Sequence, residues 1–523
     1  MPKKIQLRID IEEANNNNCL IAKAAKILNL HQTDIKTIKI IKKSLDARTN
    51  RIQYNYILDV FLLNEQYPEE NKIIYKQPNT NKKVIIIGSG PAGLFAALKL
   101  LEEGIKPIIF ERGNNVSIRK QDIAKLTRGI SFSTDSNYCY GEGGAGTFSD
   151  GKIYTRSNKR GNINKIFNIL INHGANPNIA YEAKPHIGSD KLTSIIKNIR
   201  KTILNNGGEI HFNAKMTDII TSTDNTVTGI VINHNDKHFA NAVIIATGNS
   251  AYDVYKILYQ KKIQMRPKPS AIGIRVEHHQ ELINISQYHK KNSPLLPPAS
   301  YSLSYNYNQR GIYSFCMCPG GYVVPAMTQY GESVTNGMSF SRRNSKYANS
   351  AIIVTVSVND YINHINHITK YNKHNMPFEI ENIFPLIGLY YIKSIDSILQ
   401  LSPFSLPAQK ITDFINNKQT TIFPPHSFSG QLISINLNEI LPDYIANALK
   451  IGFKNFNTKI KGFINNDSII YGFETHTSSL VTVPRNNDLS CIGFKNLYFA
   501  GEGSGYAGGI ISSAIDGEQI ARA

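Results

Sequence analysis

The segment 88–93, Gly-Ser-Gly-Pro-Ala-Gly, matches the Gly-x-Gly-x-x-Gly pattern that binds the pyrophosphate of dinucleotides. An apolar strand, 84–87, comes directly before it, and a helical pattern over 94–103 comes directly after it. In this setting the first glycine allows a tight turn, the second lets the backbone approach phosphate, and the third lets helix and strand pack closely. The N-terminus of the helix attracts the phosphate charge. The predicted contacts are Gly88, Gly90, Pro91, Ala92 and Gly93.

A carboxylate stands where the next predicted strand, 107–110, ends. Glu111 lies at the position where an acidic side chain accepts both ribose hydroxyls of the adenosine half. Such a carboxylate disfavours a 2′-phosphate, so FAD or NAD fits better than NADP. The neighbouring Arg112 is included among the predicted cofactor contacts.

A second match to the pattern, 141–146, contains four glycines in six residues. The preceding residues are polar and form no apolar strand, so a dinucleotide fold cannot begin here. Glycine loses much backbone entropy on folding, a cost that is offset where something approaches the backbone closely. We interpret the segment as a loop against a flat ligand such as an isoalloxazine ring, with a flexible loop as the alternative. The predicted contacts are Gly143, Gly144 and Thr147.

A third match, 503–508, follows an apolar strand at 497–500 and precedes a helical pattern from residue 510 onward. Too few residues follow it for a returning strand, so we expect the last strand and helix of a sheet that begins at Val84. Glu502 then lies at a strand end, where it can accept a hydrogen bond from a ribityl hydroxyl. The predicted contacts here are Glu502, Gly503, Gly509 and Ile510.

A ligand held by both ends of the chain favours FAD over NAD, because NAD-binding domains are usually contiguous and FAD is longer. Thr247 and Gly248, which follow the apolar strand 243–245, are further predicted contacts. FAD supplies its own hydride chemistry, and the protein supplies position and charge near the flavin N1 and N5. Lys152 and Arg275 are candidate cations near N1, although a surface or phosphate-pairing role fits them equally well. The backbone amides at the helix N-terminus around Gly509 could stabilise negative charge near N1 without a side chain.

The cysteines and histidines predict no metal site. Five cysteines are spread thinly, without a disulfide framework or a zinc pattern. Cys316 and Cys318 are expected to be core or loop thiols, since a bridge at this spacing would be strained. His278, His279 and His476 lack companions at metal-ligand spacing. We therefore expect a protein of the reducing cytoplasm.

Composition excludes several classes of protein. The chain has 523 residues, 41% of them hydrophobic, which is enough for more than one core. No apolar run is long enough to span a membrane, and the first residues lack a signal core. The formal net charge of +19 is spread along the chain without a dense basic block. We favour a generally basic soluble protein over a nucleic-acid binder.

The strand and helix patterns predict three domains. Residues 1–75 show a β-α-β-β order typical of a small α+β domain. Residues 83–253 together with 484–523 are predicted to form a split, Rossmann-like FAD-binding domain. Residues 262–470 are predicted to be an inserted, strand-rich substrate or cap domain. The predicted fold class is α/β with α+β parts.

The chain resembles, over nearly its whole length, the uncharacterised FAD-dependent dehydrogenases that carry a ferredoxin-like N-terminal domain, a type related to the flavoproteins with two dinucleotide-binding domains. The most specific strings are Gly-Glu-Gly-Gly-Ala-Gly-Thr-Phe at 141–148 and Gly-Glu-Gly-Ser-Gly-Tyr-Ala-Gly-Gly-Ile at 501–510. The resemblance implies FAD binding and a redox role, and it supplies no substrate. His476 and Leu480 depart from the Arg and Pro that the family tends to have. The other motifs that carry the resemblance are 44–48, 87–93, 149–152, 272–278, 315–321 and 336–339.

Together these observations predict a cytoplasmic, dehydrogenase-type FAD-dependent oxidoreductase of unknown substrate. Because no second dinucleotide-binding domain is predicted, any NAD(P)H binds transiently, or the electrons come from a substrate or partner. One alternative is an NAD(P)H-dependent flavin monooxygenase, which shares the architecture of one FAD domain with an inserted sheet. Another is a flavoprotein that binds RNA through residues 1–75 and the positive charge. No membrane association is expected.

Overall fold

The computed structural model describes residues 2–67, 73–79, 81–154, 161–290, 293–371 and 380–523. It is a mixed α/β structure. The strands are β1 Lys3–Asp10, β2 Ile35–Asp46, β3 Gln53–Leu62, β4 Lys83–Ile87, β5 Lys106–Phe110, β6 Glu209–His211, β7 Met216–Thr221, β8 Val227–Ile232, β9 Asp236–Phe239, β10 Ala242–Ile245, β11 Arg266–Pro267, β12 Ser270–His279, β13 Ser304–Tyr307, β14 Arg310–Cys318, β15 Tyr322–Pro325, β16 Thr335–Met338, β17 Tyr347–Val356, β18 Ser405–Lys410, β19 Gln431–Ser434, β20 Ile469–Glu474, β21 Val481–Thr482 and β22 Leu497–Phe499.

Helices connect and cover these strands. They are α1 Asn17–Leu28, α2 Pro91–Glu102, α3 Val116–Thr127, α4 Ile163–Asn172, α5 Ser189–Asn205, α6 Tyr252–Gln260, α7 Gln280–Tyr288, α8 Val358–Tyr371, α9 Ile380–Ile383, α10 Ile387–Asp396, α11 Ile411–Ile415, α12 Asp443–Lys459 and α13 Ile510–Ile520.

A five-stranded parallel sheet has the order β22-β10-β4-β5-β6. Its strands are apolar almost throughout because both faces are covered. In β4, Ile85 and Ile87 pack into one hydrophobic core and Val84 and Ile86 into another. Ile245 of β10 pairs with Ile87 on one side and with Phe499 on the other. Strands from distant parts of the chain therefore end side by side.

Strands β7, β8 and β9 form a separate antiparallel sheet. In the chain they come between β6 and β10, which are both strands of the parallel sheet. The sequence patterns at 209–212, 227–232 and 242–246 predict short strands, the last of them beside a three-stranded meander. Only β8 belongs to the antiparallel sheet, whereas β6 and β10 join the parallel sheet. Apolar alternation identifies a strand but not its partner, so this pairing could not be read locally.

A seven-stranded mixed sheet has the order β13-β14-β17-β12-β20-β18-β19. Helices α8, α10 and α12 contribute apolar side chains to the core beneath it. Two two-stranded sheets, β15-β16 and β11-β21, complete this part of the molecule. Residues of β14, from the seven-stranded sheet, and of β16, from the β15-β16 sheet, face the ends of the parallel strands.

The N-terminal strands form an antiparallel sheet of order β1-β3-β2 with α1 packed on it. A complete ferredoxin-like domain has one more helix and one more strand. The described residues of this part contain neither, so the predicted ferredoxin-like arrangement is not confirmed. The sheet touches the rest of the chain through Lys43, whose N–H donates to Tyr181 O at 2.7 Å. Ile11, Ile52 and Leu296 form a small shared apolar cluster.

Across the part of the chain that the structure describes, no helix combines the length and the apolar character needed to span a bilayer.

Candidate functional site

A long cleft runs along the carboxyl ends of the parallel strands, which is where open α/β sheets bind ligands. All three glycine-rich segments line it, together with the residues that follow β10. Its far wall comes from β14, β16 and the loop after β20. The cleft therefore joins the parallel sheet to the seven-stranded one.

The first glycine-rich turn fits closely between β4, β10 and α2. Gly88 has φ +100°, and a Cβ there would lie 2.5 Å from Ala246 O. A Cβ on Gly93 would lie 2.0 Å from Gly88 O, which explains why helix and strand can approach each other. Gly90 differs, because its nearest neighbour would be the Cα of Gly144 at an ordinary 3.7 Å. Gly90 is therefore open toward the cleft.

Two helices direct their N-termini into this cleft. Gly90 precedes α2 and Gly509 precedes α13, and neither N-cap residue has a side-chain hydrogen bond to the helix. The free N–H groups of a helix N-terminus favour negative charge. The helices pack so closely that a Cβ on Gly517 of α13 would lie 2.0 Å from Ala92 O of α2.

Glu111 holds the glycine-rich segments together. One carboxylate oxygen accepts from the N–H of Ser89 at 2.9 Å and from its hydroxyl at 2.8 Å. The other accepts from the N–H of Gly113 at 2.9 Å and of Gly141 at 3.1 Å. These four donors occupy the lone-pair positions of the carboxylate. The ribose-binding role of Glu111 stays a prediction, and its visible role is to fix the turn.

Arg119, which sequence analysis missed, supports the second glycine-rich loop from behind. It is fully buried in α3. One terminal nitrogen donates to Gly141 O at 3.0 Å, Glu142 O at 2.8 Å and Gly144 O at 2.9 Å. A signal was present, because Arg119 occupies a position of the buried stripe formed by Val116, Ile123 and Leu126.

Arg112 lines one end of the cleft with its charge fully paired. Its guanidinium donates to Asp253 at 3.1 and 2.7 Å and to Asp135 at 2.9 Å. The same group lies over the Tyr140 ring, 4.3 Å from the centroid. Arg112, Asp253 and Tyr140 all line the cleft, so they form a rigid wall there.

Lys152 lines the cleft beside a buried carboxylate. Its ammonium lies 3.4 Å from Asp150 and donates to the carbonyl of Met317. Asp150 also accepts from Ser339 Oγ at 2.5 Å and from Arg343 at 2.6 Å. Burial works against the charge of Asp150, but Lys152 and Arg343 outweigh it and hold the pKa of Asp150 below its ordinary value.

Arg275 lies behind the cleft wall and is absent from the lining residues. It donates to both oxygens of Glu474, at 3.0 and 2.8 Å, and to Asn349 at 2.8 Å. Glu474 itself lines the cleft. Arg275 is therefore a buried cation, and it orients the Glu474 carboxylate.

His476, which sequence analysis examined as a metal ligand and as a departure from the family pattern, forms a buried pair with Asp396, which sequence analysis missed. His476 lines the cleft, and its Nε2 lies 3.2 Å from Asp396 Oδ2. Its Nδ1 faces Ser250 Oγ at 3.5 Å. Burial would lower the pKa of His476, but Asp396 and Cys139 outweigh it and raise that pKa well above its ordinary value.

Glu502 lines the cleft at the end of β22. Asn249 Nδ2 donates to its carboxylate at 3.4 Å. Burial raises the pKa of Glu502 to about 7, although Lys268 acts in the opposite direction. The adjacent Gly503 packs behind the lining, where a Cβ would lie 2.5 Å from Gly248 O.

The cleft brings most of the predicted site residues together. Gly93, Gly143, Thr147, Gly503 and Arg275 are not among the lining residues. Gly143 and Thr147 shape the loop instead, since Thr147 Oγ1 donates to Glu142 O at 3.4 Å. The predicted residues that line the cleft are Gly88, Gly90, Pro91, Ala92, Glu111, Arg112, Gly144, Lys152, Thr247, Gly248, Glu502, Gly509 and Ile510.

Cys316 and Cys318 line the cleft too. Cys318 is a buried thiol, as expected, whereas Cys316 is exposed in the cleft, outside the core. A β-bulge between Phe315 and Cys318 of β14 causes the difference, because it reverses the alternation of side chains. Both thiols are free. Within the described ranges, no three or more His, Cys, Asp and Glu side chains are grouped so that they could hold a metal ion.

Family models match three parts of the chain. Residues 269–477 match a FAD-dependent protein, C-terminal domain-like. Residues 81–122 match a FAD binding domain. Residues 1–61 match a domain of unknown function.

A relative from Clostridium beijerinckii, described as an uncharacterised protein, is 38% identical over 98% of this chain and 97% of its own length. Among solved structures, CtdE in complex with FAD is 12% identical, covering 85% of this chain and 84% of its own, with a TM-score of 0.34. A geranylgeranyl bacteriochlorophyll reductase-like protein from Thermoplasma acidophilum is 12% identical, covering 84% and 77%, with a TM-score of 0.33.

Proposed function

This chain belongs to a family of FAD-dependent proteins and is an FAD-dependent oxidoreductase, and we propose that it works as a dehydrogenase on a small molecule bound in the cleft. We further propose that residues 83–253 with 484–523 hold the cofactor and that 262–470 cover the substrate. The parallel sheet supports the first assignment, since β4, β5, β10 and β22 all end at the cleft.

The backbone around the cleft fits a dinucleotide. A Cβ on Gly248 or Gly508 would meet no protein atom within 4 Å, and one on Gly90 would meet only Gly144. Such a Cβ would instead project into the part of the cleft bounded by Gly90, Gly248 and Gly508, which we call the cradle. Side chains are therefore missing where a flat or phosphate-bearing ligand must touch the backbone.

The charges around the cradle also fit FAD. In the proposed arrangement, the N-terminus of α2 and the turn at Gly88–Gly93 hold the pyrophosphate. Glu502 accepts from a ribityl hydroxyl, and the loop around Gly144 lies against the isoalloxazine ring. The N-terminus of α13 at Gly509 stabilises negative charge on the reduced ring.

FAD, when bound, accepts a hydride from a substrate or returns one to it. A side chain of the protein must then donate a proton to the substrate or accept one from it. We assign this to His476, whose Nε2 is held by Asp396 and whose Nδ1 faces the cleft side of Ser250. The raised pKa of His476 favours its protonated form, which can donate a proton to the substrate heteroatom bonded to the carbon that receives hydride. In the dehydrogenase direction, the neutral ring of His476 takes the proton from that heteroatom as the carbon loses hydride.

The single observation that carries this proposal is the cleft itself. It places a cradle of open glycine backbone and an imidazole–carboxylate pair in one continuous space. A dehydrogenase needs both a place for the cofactor and a group that moves a proton.

The test begins with the purified full chain. We expect it to be yellow and to release FAD on heating, and a colourless protein that does not take up added FAD would refute the proposal. Anaerobic screening of small alcohols, amines and thiols should then find a compound that bleaches the flavin absorbance. The variant His476→Gln should retain FAD but reduce the bleaching rate, with a changed pH profile.

The requirement for oxygen distinguishes the proposed dehydrogenase from the alternative, an NAD(P)H-dependent flavin monooxygenase. A monooxygenase would consume oxygen coupled to NAD(P)H and release a hydroxylated product. A dehydrogenase would bleach with its substrate in the complete absence of oxygen. NAD(P)H as a transient electron donor is examined in the same anaerobic cuvette.

A further inference from the structure

The β-bulge in β14 turns two cysteines from the core into the cleft. Up to Phe315, β14 pairs regularly with β17, and Ile312 faces the hydrophobic core. Continued alternation would send Cys316 and Cys318 to the core face as well. The bulge instead places Met317 in the core and both thiols in the cleft wall.

The bulge is strained and is held by two cations. Cys316 has φ +44°, a conformation that residues other than glycine rarely adopt. The ammonium of Lys152 donates to Met317 O, and the guanidinium of Arg275 donates to Cys316 O at 3.5 Å. Strain of this kind persists where the surroundings enforce it, and it concentrates at functional sites.

The two thiols differ in access. Cys316 is exposed in the cleft, whereas Cys318 is buried and its thiol donates to Cys316 O at 3.2 Å. Gly337 closes the space behind Cys318, because a Cβ there would lie 2.9 Å from the Cys318 sulfur. The Cys318 thiol therefore contacts the backbone of Cys316, and both cysteines line the same cleft.

We propose that Cys316 and Cys318 are a redox-active dithiol, which closes to a disulfide and passes its two electrons to FAD bound in the same cleft. In this step both S–H bonds break and one S–S bond forms. Two electrons and one proton go to the oxidised flavin, and the second proton goes to water. The reverse transfer restores the dithiol. The inference rests on the proposed function only for the electron acceptor.

The strain of a bridge across one residue supports a redox role rather than opposing it. Unstrained structural disulfides resist reduction, whereas strained ones are oxidising and labile. The positive charges of Lys152 and Arg275 favour a thiolate at both cysteines, but burial outweighs them and raises the pKa of both thiols, that of Cys318 to about 12. Both protons must therefore be removed as the bridge forms. Closure should therefore be faster at higher pH.

The bridge can be measured directly. Trypsin releases the peptide 311–342, which contains Cys316 and Cys318 and no other cysteine. Full-length protein is equilibrated in glutathione buffers of increasing oxidation, quenched in acid, alkylated and digested. We expect this peptide to escape alkylation and to weigh two hydrogens less than the unmodified dithiol peptide. Treatment with dithiothreitol before alkylation should restore two alkylated cysteines. A peptide that stays fully alkylated, or is cross-linked to Cys139, overturns the proposal.

Electron counting tests the transfer to FAD. The FAD-loaded proteins are first oxidised in the most oxidising glutathione buffer and freed of it. In an anaerobic dithionite titration, the oxidised wild type should then take up two more electrons per flavin than Cys318→Ser or Cys316→Ser. Cys19→Ser, on α1 outside the cleft, is the matched control and should behave like the wild type. Equal uptake by all four proteins overturns the transfer. A protein without flavin would refute the proposed function, while the peptide measurement would still decide whether the bridge forms.

Discussion

Gly90 allows cofactor binding to be separated from folding at the level of one residue. It has φ −73°, which alanine adopts without strain, and an added Cβ would meet no protein atom closer than 3.7 Å. We expect Gly90→Ala to weaken FAD binding at least about tenfold, roughly 1.4 kcal/mol. The apo protein should lose no more than about 1 kcal/mol of stability.

Fluorescence titration with FAD and thermal unfolding of the apo protein check this prediction. Gly88→Ala is the contrasting variant, because φ +100° and the 2.5 Å approach to Ala246 O strain the protein itself. It should lower the apo unfolding temperature. Unchanged FAD affinity in Gly90→Ala would show that the cradle is not where the cofactor lies.

The His476–Asp396 pair predicts a pH dependence of stability. The pKa of His476 is raised in the folded state, so the pair stabilises the protein fully below the unfolded value of about 6.5. That contribution is lost as pH rises through the raised pKa. Asp396→Asn should cost about 1–3 kcal/mol near neutral pH and progressively less at alkaline pH.

Urea unfolding at several pH values measures this difference. The matched control is Asp360→Asn, because Asp360 pairs with Arg310 at 2.6 Å and arginine keeps its charge throughout the range. If Asp396→Asn lowered the free energy of unfolding as much at alkaline pH as at neutral pH, the raised pKa of His476 would be contradicted.

Individual site residues were predictable where a local motif requires them. Gly88, Gly90 and Glu111 could be assigned because strand, turn and helix fix their places. The partners of Glu111 could not, since Gly141 reaches it only through tertiary folding. His476 and Asp396 are far apart in sequence, and no local pattern marks such a pair.

At the scale of elements, α13 packs closely against the first turn of α2, beside the cleft. Gly517 makes it possible, because a Cβ there would lie 2.0 Å from Ala92 O. Gly517→Ala should therefore push the helices apart, at a cost of about 1–3 kcal/mol, and weaken FAD binding. Gly508→Ala, whose Cβ would meet nothing within 4 Å, should leave stability unchanged.

Differential scanning calorimetry of both apo variants makes the comparison. Alanine is intrinsically the better helix former by about 1 kcal/mol. If Gly517→Ala were as stable as the wild type or more so, the close approach of the helices would be wrong.

Strands and helices with strong periodicity were predictable, whereas their irregularities were not. The strand at 84–87 and the helix after it follow directly from the sequence pattern. The bulge at Cys316 depends on the register between β14 and β17, which only the assembled sheet sets. The exposure of Cys316 in the cleft could therefore not be predicted from the sequence.

At the scale of the whole molecule, we expect that the net charge of +19 does not form a nucleic-acid-binding surface. In the N-terminal sheet, Arg48 pairs with Asp46 and Arg51 with Asp10, which reduces its positive charge. We expect retention on immobilised RNA to vanish at about 0.15 M salt, where surface charges are largely screened. Deletion of residues 1–75 should change nothing.

Salt-gradient elution from an RNA column measures this. Retention above that salt concentration that disappears in the deletion variant would instead support RNA binding by the N-terminal sheet. A protein deleted from residue 1 to 75 must first be shown to retain the flavin.

The parallel sheet takes β4 and β22 from positions that lie several hundred residues apart, and both must be present before the cradle is complete. During synthesis, the motif at Gly88 leaves the ribosome long before α13 does. A nascent chain can therefore expose the early half of the cradle without being able to retain the cofactor. Flavin loading should follow translation, and the availability of free FAD at that moment would decide how much of the newly made enzyme becomes active.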